Sequence, residues 1–159
     1  MIRAEQTSII DRPIEDVFGY VGDQTNTPNW QAGLVEVRRT SDGPLGVGTT
    51  HTFVRSFMRR RMEADNIYVA YEPNKLISFK TTSGPVRLEA SYVFESTDEG
   101  TRLTSRIEMD ASGFMSLAEP LIAAGLKREM KAAFRALKDL LENRSDRDRV
   151  AARSVGPAS

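Results

Sequence analysis

An amphipathic helix from Gly113 to Asn143 closes this chain after an unbroken run of strand-like segments. A long amphipathic helix that comes last must lay its apolar face on what precedes it, and the only surface on offer is a sheet. Leu126, Met130, Ala133, Phe134, Leu137 and Leu141 form the apolar stripe, with Lys131, Arg135, Lys138 and Glu142 opposite. Pro120 lacks an amide hydrogen and clashes with the turn before it, so Phe114 to Glu119 is expected as a separate or kinked segment, with Gly125 a second weak point. A curved sheet wrapped on one helix often leaves an apolar cavity between them. The order of elements therefore points to a small-molecule pocket.

The preceding segments carry period-two patterning. Ile2 to Ile10 is a first strand, followed by Asp11-Arg12-Pro13, where Asp11 can cap a helix that holds Ile14, Val17, Phe18 and Val21 on one face. A turn-rich stretch from Gly22 to Pro28 leaves room for a second short helix before Asn29-Trp30. Six more strands follow: Val35 and Val37 facing one way, Thr49 to Phe57, a strand ending near Tyr71, Leu76 to Thr82, Val86 to Glu95, and Thr101 to Ala111. In the last two, Val86, Leu88, Ala90, Tyr92 and Phe94 face one way, as do Leu103, Ser105, Ile107 and Met109. Arg87, Glu89, Arg106 and Glu108 face the other, where cross-strand ion pairs are expected. This is an antiparallel sheet with one wet face.

Composition removes several function classes. Lysine plus arginine and aspartate plus glutamate are 22 each, so no global field recruits nucleic acid. No apolar run approaches the roughly 20 residues of a membrane span. The first residues lack the apolar stretch of a secretory signal, which with zero cysteines fits a cytoplasmic location. One histidine, His51, excludes His-His metal motifs, and no metal or cofactor is expected. No phosphate-binding loop, nucleophile elbow or nucleic-acid motif is present; Gly46-Val47-Gly48 is half a nucleotide motif without a following helix.

Particular residues resemble a known family. Ile10-Asp11-Arg12-Pro13 with Val17-Phe18, Asn29-Trp30, Val35-Glu36-Val37 and Gly46-Val47-Gly48-Thr49 look like the polyketide cyclase/dehydrase branch of the START/Bet v 1-like (SRPBCC) superfamily. Tyr71-Glu72-Pro73, Leu76, Gly100-Thr101 and Leu137-Lys138 continue the match, which covers nearly all of Ile2 to Glu142. The resemblance implies an α+β helix-grip fold. In it a seven-stranded antiparallel sheet curves around the long C-terminal helix, with two short helices after the first strand. It also implies a hydrophobic cavity, in members ranging from ligand carriers to aromatic-ring cyclases. One domain over 1–143 is expected, and a disordered tail over 144–159.

Candidate site residues follow from which side chains face that cavity. Trp30 is either a wall of its mouth or a core anchor for the short helices. His51, Phe53, Arg55 and Phe57 share one strand face. His51 is a candidate base or a merely hydrogen-bonded imidazole. Arg55 either holds a ligand carboxylate at the rim or extends to solvent. Leu88, Tyr92, Phe94, Ile107 and Met109 would form the floor. Phe114, Leu117, Leu121, Ile122, Leu126 and Met130 would form the roof.

Glu63 and Asp65 depend on hairpin register. An even loop at Arg59-Arg60 turns Met62, Ala64, Asn66 and Tyr68 inward; an odd loop or a bulge turns in Glu63, Asp65, Ile67 and Val69. Ile67 and Val69 look like the more natural core pair, though a bulge could place them inside while Glu63 and Asp65 stay exposed, and exposed acids are the expected arrangement. Arg59-Arg60-Arg61 is a solvated tip or a weak anion site.

The leading expectation is binding of a small hydrophobic ligand that is lipid-, polyketide- or aromatic-like. A rival is a polyketide cyclase or dehydratase using His51 with Asp65 or Tyr92. A third is a hydrophobic groove for a partner helix. A homodimer stays open.

Overall fold

The computed structural model describes residues 1–57, 59–110 and 118–154. In chain order the elements are β1 (Ile2–Ile10), α1 (Ile14–Gly22), a 3₁₀ turn (Gln24–Asn29), β2 (Leu34–Arg39), β3 (Thr50–Phe57) and β4 (Arg60–Glu72). They continue with β5 (Leu76–Thr81), β6 (Arg87–Thr97), β7 (Gly100–Asp110) and α2 (Glu119–Ser154). The seven strands form one antiparallel sheet in the order β1-β7-β6-β5-β4-β3-β2. The first strand thus pairs with the last, and α1 with the 3₁₀ turn carries the chain from one sheet edge to the other. This is the Bet v 1-like helix-grip fold.

α1 starts after Pro13, whose fixed φ suits a helix start, and no side chain caps it. Asp11 does not cap, contrary to the sequence expectation; its backbone N–H donates to Glu142 Oε1 at 3.1 Å instead. Asp23 caps the 3₁₀ turn, accepting from Thr25 N at 3.1 Å. α2 begins at Glu119, so Pro120 lies in a first turn where its missing N–H is harmless. The helix runs on to Ser154, past Asn143, where the disordered tail was expected to begin. The separate segment expected at Phe114–Glu119 falls mostly outside the described residues, as do residues 155–159.

Two bulges set which side chains face inward. In β4 the pairs Tyr68↔Phe79 and Ala70↔Ser78 skip Val69, which is left 41% exposed. The extra residue reverses parity, so Tyr68 and Tyr71 both face inward and stack with centroids 6.1 Å apart. In β2 a similar shift between Leu34 and Glu36 buries Leu34 and Val37 and leaves Val35 exposed, which corrects the expected pairing of Val35 with Val37. The β3–β4 hairpin closes at Phe57↔Arg60, an even turn with Arg59 in the left-handed region at φ 65°. Met62, Ala64, Asn66 and Tyr68 therefore share the face of Arg55, Phe53 and His51, while Glu63 and Asp65 lie outside. The expected core pair Ile67 and Val69 is replaced by Asn66 and Tyr68, which are 2% and 1% exposed.

The outer face is laced by ion pairs, with partners other than those expected from β6 and β7 alone. Arg106 pairs with Glu5 at 2.8 Å and Glu108 with Arg3 at 3.3 Å, both across β1–β7. Each exposed pair contributes about 0–1 kcal/mol. Arg61 of the basic tip pairs with Glu36 at 3.3 Å.

Candidate functional site

The interior between sheet and α2 is graded from end to end. At one end Ile10, Val17, Leu103, Leu137 and Leu141 are essentially inaccessible, and Phe18 packs edge-on against Phe94 and Tyr71. The helix is latched there by polar groups as well. Lys138 Nζ donates to Ile9 O at 2.6 Å and to Glu142 Oε1 at 2.8 Å, and Arg12 Nη1 donates to Leu141 O at 2.9 Å. Toward the other end, Phe53, Leu88, Ile107 and Met109 face inward yet are only half-buried. Above them Met130 is buried, Leu126 and Ile122 are half-buried, and Leu121 is 79% exposed. Ile122, Leu126 and Met130 lie at successive i, i+4 positions on one face; Leu121, rotated by one residue, leaves that face, so its placement in the cavity roof is corrected.

A cleft of about 400 Å³ lies at this end on the turn and outer-face side of the sheet, bordered by Met1, Lys80, Ser83, Arg87, Leu88 and Glu108, and among the described residues none of α2 lines it. Gly84 permits the β5–β6 turn beside it. Its φ of 116° and a site where a Cβ would lie 2.8 Å from that of Ala64 both require glycine.

Aromatic side chains separate the two ends. Trp30, 4% exposed, meets Tyr92 edge-on at 6.2 Å and Phe134 at 6.4 Å, so it anchors the 3₁₀ turn to both sheet and helix. Its indole N–H has no partner. Phe79 bridges Tyr92, Tyr68 and Phe53. The Tyr92 hydroxyl accepts from Gln31 Nε2 at 3.4 Å, and burial pushes it up to about 12, so it stays protonated. Arg55 reaches the rim, where it pairs with Glu129 at 3.0 Å and approaches Gln31 at 3.5 Å. Gly33 leaves room for that pair, since a Cβ there would lie 2.8 Å from Glu129 Oε1.

His51 is fully buried, and neither ring nitrogen has a partner among the described residues. Desolvation lowers it to about 4, against the opposing pull of the Asp23 carboxylate, so the imidazole is neutral at pH 7. Its ring lies 5.3 Å from that of Tyr68, whose hydroxyl donates to Gly22 O at 2.7 Å. Asp65 is not beside it. The register pairs His51 with Asn66 and Asp65 with Thr52, on opposite faces. Thr52 and Ser83 hydroxyls donate to the Asp65 carboxylate at 2.6 and 2.9 Å and hold it below the usual range.

The structure thus brings Trp30, His51, Phe53, Arg55, Leu88, Tyr92, Ile107, Met109, Ile122, Leu126 and Met130 to the inner face. It places Phe94 in the closed core, Asp65 outside and Leu121 on the surface. Phe114, Leu117 and the side chain of Phe57 lie outside the described positions. Sequence reasoning missed Gln24, 2% exposed with Oε1 unpartnered, and Glu129, the partner of Arg55. Asn66, considered only as a matter of register, is a further buried orphan at Oδ1. Alternation from His51 through a two-residue turn would have found Asn66; nothing local marks Gln24. Among the described residues no three His, Asp or Glu side chains are grouped to hold a metal ion, and no helix is long and apolar enough to cross a membrane.

Comparison with solved structures finds the same fold at low identity. A protein from Thermus thermophilus superposes with a TM-score of 0.75 at 18% identity, over 91% of this chain and 98% of that one. The Zhui aromatase/cyclase from Streptomyces sp. R1128 gives 0.72 at 14%, over 90% and 94%. Ara h 8.0201 gives 0.68 at 14%, over 89% and 97%. No curated protein matches the sequence. Residues 1–142 match the family described as polyketide cyclase / dehydrase and lipid transport. With this sheet order, gripped helix and family match together, the chain belongs to that family, within the START/Bet v 1-like (SRPBCC) superfamily.

Proposed function

We propose that this protein binds a small, mostly apolar molecule, lipid-, polyketide- or aromatic-like, between the sheet and the first half of α2. The observation that carries this reading is the graded interior: Phe53, Leu88, Ile107 and Met109 face inward but lack full cover, beneath the half-buried Ile122 and Leu126. Uncovered apolar surface facing inward gains free energy when a ligand displaces water from it, about 25 cal/mol per Å². An aromatic ligand burying about 200 Å² would gain roughly 5 kcal/mol before the cost of its immobilisation. Polar groups on the same face would fix its orientation. The expected result of native mass spectrometry on freshly purified protein is a co-purified small molecule, or saturable uptake of an apolar dye by the emptied protein. Finding neither a co-purified mass nor dye uptake would sink the reading.

A second reading, proton transfer on a bound polyketide, draws support from the family and from two inward-facing groups. His51 is unprotonated at neutral pH, though with a conjugate acid near pH 4 it is a feeble base, and Tyr92 is a protonated donor. Asp65 takes no part, facing the other way. If His51→Gln turns over a ketide substrate as fast as the unmodified protein, His51 is not its base.

A further inference from the structure

Three buried polar side chains in the neighbourhood of Tyr68 have inner atoms without hydrogen-bond partners among the described residues. His51 and Asn66 are direct cross-strand neighbours on the inner face. The ring of His51 packs on Tyr68, and the hydroxyl of Tyr68 bonds the carbonyl of Gly22, one helical corner from Gln24. His51, Asn66 and Gln24 are 0%, 2% and 2% exposed, and His51 Nδ1 and Nε2, Asn66 Oδ1 and Gln24 Oε1 are all unpartnered. Each such orphan carries a desolvation cost that a native structure normally offsets with a partner.

The position of these groups ties them to the ligand. Asn66 pairs with Thr81, whose hydroxyl accepts from Leu88 N at 3.0 Å, and Leu88 pairs with Met109. The polar pair therefore continues the cross-strand row whose other members are the half-buried Leu88 and Met109. A molecule lying along that row rests its apolar body on Leu88 and Met109 and brings its end to Asn66 and His51.

The donor and acceptor count selects the chemistry of that end. A neutral imidazole offers one N–H and one lone pair; the two amide oxygens offer acceptors only. A hydroxyl can accept from the imidazole N–H and donate to one of the three acceptors, leaving the other two to neighbouring donors or water. A carboxylate, acceptor-only, would face three acceptors with no cation in contact. The charge felt most strongly at His51 is itself negative, that of Asp23, ahead of the opposing Arg39. Burying an unpaired anion there would be costly.

We propose that His51, Asn66 and Gln24 form a subsite for a neutral hydroxyl, phenolic or alcoholic, at the end of an apolar ligand, and that it excludes a carboxylate at the same place. This rests on the cavity reading above, and the probes separate the two.

Calorimetry with 2-naphthol, naphthalene and 2-naphthoate is the direct measurement. The expected order is 2-naphthol about tenfold tighter than naphthalene, the gain of one or two buried hydrogen bonds, with 2-naphthoate weakest. The imidazole nitrogens of His51, the sole histidine, should shift in ¹⁵N NMR with 2-naphthol and stay put with naphthalene. In Asn66→Leu, which removes an orphan without opening a cavity, the preference should shrink to within about threefold. Gln24→Leu is the second variant, should the first fold poorly. Equal affinity for 2-naphthol and naphthalene overturns the subsite and leaves its three groups to buried water. A preference unchanged in both variants, or 2-naphthoate binding as tightly as 2-naphthol, overturns it too. Failure of all three probes to bind would overturn the cavity reading itself, and the subsite with it.

Discussion

The two halves of α2 touch the same sheet and do different work. From Met130 to Leu141 the helix sinks Ala133, Phe134, Leu137 and Leu141 into a closed core and is tied to the end of β1 through Lys138, Glu142 and the Leu141 carbonyl. From Leu121 to Leu126 it covers its floor incompletely and bears no such latch among the described residues. On the proposed reading, the difference teaches that one helix can serve stability in one half and reception in the other. The closed half supplies the packing energy, and the other half leaves Phe53, Leu88 and Ile107 only half-covered. Between them stands the aromatic partition of Trp30, Tyr92 and Phe79.

The sharpest way to break this contrast is truncation on both sides of the partition. Leu137→Ala should cost about 3–4 kcal/mol in urea unfolding, because the site is fully packed and cannot collapse around the void. Leu121→Ala should stay within about 0.5 kcal/mol, as expected of a surface position. Comparable losses at both positions would erase the division.

A second measurement locates the boundary. Folding lowers the imidazole of His51 from 6.5 to about 4, so between those values the unfolded chain binds more protons than the folded one. Stability is then complete above pH 6.5 and falls as pH drops toward 4, by up to about 3 kcal/mol, after which this group adds no further loss. His51→Gln should flatten that interval of the pH–stability curve. A fall well below 1 kcal/mol in the unmodified protein would mean that water reaches His51 and that the open region extends past it.

The smallest effect concerns the rim. A double-mutant cycle on Arg55→Met and Glu129→Gln should return a coupling of about 0.5 kcal/mol or less, since both side chains are over a third exposed. A coupling of several kcal/mol would make the rim part of the stabilising core.

How much of this was legible in the sequence depends on what sets each feature. The inner faces of β6 and β7 and the stripe from Leu126 to Leu141 follow from strict periodicity, and the structure keeps them. Register-dependent features did not follow. The bulges at Val35 and Val69 each reverse parity, and their cause lies in sheet twist and in partners such as Phe79 and Val54, far along the chain. The partners of Arg106 and Glu108 are on β1 because the first strand closes beside the last, which pairing of neighbouring strands alone does not reveal. The site was legible as a face but not as a set of atoms. His51 was marked by being the one histidine, whereas the lack of partners for its ring depends on the surrounding three-dimensional packing, which no local pattern records. Gln24 carries no pattern at all, buried by the corner between α1 and β2.

The pairing of β1 with β7 has a consequence for how the protein is made. β1 has its sheet partner at Gly100–Asp110, and its end is secured by Lys138, Arg12 and Glu142 against the helix that comes later still. While the ribosome works through β2 to β6, β1 waits with both hydrogen-bonding edges unpaired and its apolar side chains uncovered, a template for any other strand that meets it. Contacts so distant in sequence also slow folding. The nascent chain is thus most exposed to mispairing just before its last third emerges.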